Sequence, residues 1–234
     1  MKLQQLIVDA KSVSDRRQNV VVAKSKNIKQ ELIEQTTQWS TVGSELLNEQ
    51  GATVFYFRSR AGTGLIGRSY PGSLNHRGER FMRTHWVLVS SNQMKCHYNN
   101  AVLIIRILNS SGQWILKTSG FESELPELEV GDHPINTFAY PDQQQEVDFA
   151  KQAIETHGQV AISDANRPLD FIGHVLGAHS FRERAKVSFA FDRRVISDTP
   201  FKINAFSRAD VRLEHDLTQH NIFPVRLRSV PVGS

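Results

Sequence analysis

The chain has 234 residues, 39% hydrophobic and 22% charged, which excludes a disordered chain and suits one generous packed domain or two small ones. Its densest apolar run, AVLIIRIL at 101–108, is interrupted by Arg106 and falls short of the roughly 20 residues that span a bilayer, so no membrane partner is expected. The N-terminus MKLQQLIVDAK is too polar for a secretory signal, and Cys96, the single cysteine, precludes an internal disulfide or a cysteine-built zinc or iron–sulfur site; a cytoplasmic protein without cofactor or metal is expected.

In chain order, LQQLIV (3–8) and NVVVA (19–23) read as strands of a hairpin around the polar SVSDRRQ. Asn27 reads as the cap of a helix over IKQELIEQTTQW. ATVFYFRS (52–59) is a strand, RAGTG turns it, and LIGRSY (65–70) returns as its partner. PGSLNHRGER is a loop, and THWVLVSS (84–91) a strand. AVLIIRILNSSGQWILKT reads either as two strands about an Asn109–Gly112 turn or as a buried helix in its first half. LPELEVGDHPINTFAYPD is an irregular connection. From Asp142 as cap, QQQEVDFAKQAIETHG is an amphipathic helix with Val147, Ala150 and Ile154 inward and Gly158 closing it. QVAIS (159–163) is a strand and ANRPLDFIGHVLGAHS a helix, with Pro168 near its first turn. AKVSFAF (185–191), PFKINAFS (200–207) and PVRLRSV (224–230) are further strands. Without strict βαβ alternation, the expected fold is a single α+β domain over 1–234, with a mixed, mainly antiparallel sheet, about three helices and a soft subdivision near 122–142.

The net charge of +4 is unevenly spread. Between Val54 and Arg106 stand Arg58, Arg60, Arg68, Arg77, Arg80, Arg83 and Lys95 against Glu79, whereas 122–155 is acidic but for Lys151. Either the two segments neutralise each other in the fold, or the basic one attracts phosphate or an acidic partner. Tyr56, Tyr70, His76 and Phe81 interleave these arginines; guanidinium forks with stacking rings are also nucleic-acid chemistry.

Other motifs are weak. Gly62, Gly64 and Gly67 have dinucleotide-loop spacing, but RSYPG follows where a helix should begin, so a hairpin turn is the reading. His174 and His179 point about 140° apart on one helix, which is no two-histidine metal face. Cys96 with His85 or His97, and Asp170 or Asp192 behind, would be a thiol–base pair by composition only.

Three blocks in order resemble the N-terminal domain of the GTPase-associated protein 1 family. They are Arg77-Gly78 followed by Thr84-His85 and Val87-Leu88-Val89; LPELEVGDHP; and RPLDFIGHVLGAHSFRERAKVSFAFD, with Leu176, Arg184, Ser188 and Phe189 at the family positions and Pro200-Phe201 after them. The opening QLIVDAKSVSDRRQNVVVAKS lacks the glycines and histidines with which that family begins. The resemblance implies a non-enzymatic adaptor of a bacterial conflict (defence) system, bound to a GTPase or other NTPase encoded nearby. The expected binding surface is Arg58, Arg68, Arg77, Arg80, Arg83 and Arg184. Thr84 and His85 are expected at the sheet edge, His85 bonded to the preceding loop and Thr84 capping that loop's backbone. A nucleic-acid-binding module using the same surface with Arg182 and Lys186 is the alternative, and a hydrolase or nuclease centred on His85 the third.

Overall fold

The computed structural model describes residues 1–13, 16–40, 53–74, 80–112, 114, 123–131, 144–163, 167–193, 199–206 and 211–227. β1 (Lys2–Val13) and β2 (Arg16–Lys24) form the expected hairpin, with polar residues continuing its ladder to Val13 and Arg16. α1 (Gln30–Trp39) begins later than expected: Asn27 is left-handed at φ 60°, and Lys29 is the N-cap. β3 (Thr53–Arg58), β4 (Gly64–Leu74) and β5 (Arg80–Val89) form an antiparallel meander. The expected loop over PGSLNHRGER is therefore shorter, because β4 runs on through Pro71 with a register shift before Leu74; Arg77 lies outside the described residues.

The ambiguous apolar segment is helical in its first half. α2 (Ser91–Cys96) precedes α3 (Ala101–Ser110), whose Asn100 cap accepts a hydrogen bond from the Val102 amide at 3.1 Å. β6 (Leu128–Glu129) adds two residues to β1 from within the connector. α4 (Gln144–His157), β7 (Val160–Ser163) and α5 (Pro168–Ala178) fall where expected, the Asp142 cap lying outside the described residues. Then come α6 (Phe181–Arg184), β8 (Phe189–Phe191), β9 (Ile203–Ala205), α7 (Val211–Gln219) and β10 (Phe223–Arg226).

All ten strands join one sheet in the order β10-β7-β9-β8-β3-β4-β5-β1-β2, with β6 on the start of β1. β10, β7, β9 and β8 pair in parallel, and the remaining pairings are antiparallel. The class is α+β, the sheet mixed, and helices cover both faces. One face buries Ile66, Val87, Phe189 and Ile203 against α3, α4 and α5. The other buries Phe55, Leu65, Trp86 and Phe201 with α1, and Ala161 and Phe206 with α7. Strands from both sides of 122–142 share this sheet, joined where β3 pairs with β8.

The glycine triplet serves packing. Gly62, at φ 85°, turns β3 into β4 and donates its amide to the Ser59 carbonyl at 2.9 Å. At Gly67 a Cβ would lie 2.4 Å from the Phe55 ring, which packs edge-on against Trp86 at 4.9 Å.

Candidate functional site

The strands place polar side chains in two cross-strand rows on the face shared with α3. Alternation along β5 sends Arg83, His85, Val87 and Val89 to that face, and Thr84, Trp86 and Leu88 to the other. Register sets Asp9 opposite Arg83 and Arg83 opposite Tyr70, then Ile7 opposite His85 and His85 opposite Arg68.

The first row holds an ion pair. Arg83 Nε and Nη2 donate to Asp9 Oδ1 and Oδ2 at 2.6 and 2.8 Å, and both side chains are buried. That hydrogen bonding raises the Arg83 pKa above its ordinary value, and burial pushes the Tyr70 hydroxyl up to about 12. Arg83 is thus not part of an exposed basic surface: the N-terminal hairpin supplies β1 as a neighbour and closes over it.

The second row holds a neutral imidazole. The Pro126 carbonyl can only accept, so the Gln5 amide turns its Nε2 toward it at 2.7 Å. Gln5 Oε1 is then left facing His85 Nε2 at 2.8 Å, which must carry the proton, and Nδ1 keeps the lone pair. Burial, helped by the charge of Arg68, lowers the His85 pKa from 6.5 to about 4. Arg68 is half-buried, its own pKa lowered by desolvation; Nη1 donates to the Trp114 carbonyl at 3.2 Å and the guanidinium lies 5.8 Å from that indole. Trp114 Nε1 is buried without a hydrogen-bond partner among the described residues.

These positions correct the expected edge. β5 lies between β4 and β1, so neither Thr84 nor His85 is at a sheet edge. His85 bonds to Gln5 of β1, and Thr84 faces the opposite side, where it meets Ser69 Oγ at 2.6 Å and donates to the Ser40 carbonyl at 3.2 Å. Ser40 also accepts from Trp86 Nε1 at 2.7 Å, so this cluster anchors the C-terminus of α1.

The other expected residues are dispersed. Arg58 is exposed at the β3–β4 turn, with Nε on the Gly62 carbonyl at 3.1 Å, and Arg60 is exposed beside it. Arg80 is in β5, its side chain outside the described set. Arg184 binds the carbonyls of His179, Gly177 and Tyr98 at 2.9, 2.8 and 3.5 Å, closing the end of α5. Cys96 is exposed whereas His85 and His97 are buried. Among the described residues no three His, Cys, Asp or Glu side chains gather as metal ligands, and no helix is long and apolar enough to cross a membrane.

At neutral pH this polar row can orient hydrogen bonds, but an imidazole titrating near 4 and backed by an amide is poorly matched to general base catalysis. Reasoning from sequence missed Asp9, Gln5 and Trp114. A lone acid set within the apolar run Leu6 to Ala10 of β1 was the one available signal for the first. Comparison of the chain with protein-family models and with curated proteins finds no match.

Proposed function

We propose that this domain is a cytoplasmic, non-enzymatic adaptor that binds a protein partner through uncancelled basic surface, the partner being a GTPase or other NTPase as the family resemblance implies. The supporting observation is electrostatic. None of the ion pairs between described residues joins the basic segment 54–106 to the acidic segment 122–155. Asp9 and Asp170 take Arg83 and Arg106, while Glu124 and Glu129 take Lys26 and Lys2. The exposed cations Arg58 and Arg60 keep their field for an external acidic surface.

Gentle purification of the tagged protein from its host, with and without nuclease, tests this. The expected result is an NTPase that survives nuclease and is lost from an Arg58→Glu, Arg60→Glu variant whose melting temperature matches wild type. Recovery of nucleic acid alone, removed by digestion, would replace the adaptor with the nucleic-acid-binding module.

A further inference from the structure

Tyr98 and Phe181 are 60% and 44% exposed, large rings left in water although the chain has ample core. Their segments are far apart in sequence but are tied together: Asn99 Nδ2 donates to the Phe181 carbonyl at 2.8 Å, and Arg184 Nη1 to the Tyr98 carbonyl at 3.5 Å. The backbone beneath Tyr98 is unusual. Tyr98 and Asn99 are consecutive left-handed residues at φ 54° and 55°, a conformation costing a bulky side chain about 1–2 kcal/mol. The surroundings enforce it. The Asn99 amide donates to the Met94 carbonyl at 2.8 Å, and Asn100 Nδ2 to the Gly173 carbonyl of α5 at 3.1 Å, with Asn99 and Asn100 both buried. A glycine would adopt this turn without strain, so local conformation gives no reason for an exposed tyrosine here.

Charge in the two segments that carry the rings is net positive. Lys95, Arg182, Arg184 and Lys186 belong to the two segments, against Glu183, which Lys186 holds at 3.0 Å. The donors of Arg184 are engaged by carbonyls, which leaves Arg182 as the exposed guanidinium. A polyphosphate calls for several open forks. A diffuse positive rim about an apolar pair instead suits carboxylates outside and an apolar side chain at the centre.

We propose that Tyr98, Phe181 and Arg182 form the docking surface for an acidic protein segment carrying apolar side chains. This rests on the adaptor reading and gives it an anchor in addition to Arg58 and Arg60.

Tyr98→Gly separates binding from folding, because it removes the ring and relieves the left-handed strain together. A fluorescein-labelled peptide of Asp, Glu, Leu and Phe is titrated by polarisation, beside a single-stranded oligonucleotide. Wild type is expected to bind the peptide in preference to the oligonucleotide. Tyr98→Gly and Arg182→Glu should each weaken it about tenfold or more, Tyr98→Gly melting at or above the wild-type temperature. The proposal is overturned if wild type ignores the peptide or prefers the oligonucleotide, if Tyr98→Gly binds as wild type, or if Tyr98→Gly melts clearly lower, which would make the ring structural. An NTPase still captured by Tyr98→Gly would overturn this docking surface alone; one never captured by wild type removes the adaptor reading itself.

Discussion

Arg83 illustrates how much a residue's role depends on its neighbour across the sheet. Removing one member of its buried pair with Asp9 strands the other charge, so Arg83→Ala or Asp9→Ala should each destabilise by about 3–5 kcal/mol. Denaturant unfolding reads this directly, and an unchanged midpoint would return Arg83 to the surface. His85 gives the complementary test in pH. Its folded pKa lies below the unfolded value, so the unfolded chain binds the proton first as pH falls. Stability is full above about 6.5 and declines toward about 4, by on the order of 3 kcal/mol from this group. His85→Gln should flatten that part of the pH–stability curve; the same slope in wild type and variant would assign it to other groups, His179 and His174 being shifted in the same direction. None of this was legible in sequence. Arg83 stands in a basic run, and the carboxylate that claims it lies 74 residues earlier.

Elements were more legible than residues, because periodicity is local. β3, α4 and α5 fall where alternation, glycine and proline put them, whereas β4 starts as expected but runs on through Pro71. α3 stayed ambiguous since Ala101 to Ile105, Ile107 and Leu108 are all buried, which leaves no polar stripe to reveal a helical period. α2 and α6 are too short to establish one. In β4 the glycines read correctly as a hairpin, though the tight contact at Gly67 was invisible. Gly67→Ala must push apart Phe55 and Trp86, so a loss of about 1–3 kcal/mol is expected in thermal or denaturant unfolding. Wild-type stability in that variant would mean the rings yield freely.

At the scale of the molecule, sequence indicated a mixed, mainly antiparallel sheet but not its order. The pairing of β3 with β8 brings together residues more than a hundred positions apart, and no local pattern encodes such a register. The uneven charge was legible, but which cations share a surface was not. The Asn99 and Arg184 bonds have a mechanical consequence. The turn bearing Tyr98 hangs from β5 through α2, and Phe181 leads through α6 into β8, so these bonds span the seam between the antiparallel and parallel parts of the sheet. Tyr56 Oη, donating to the Ala185 carbonyl at 2.9 Å, is a third stitch across it. A partner seated on the two rings would therefore act as a clasp, and its pull would be borne where the two parts of the fold are sewn together.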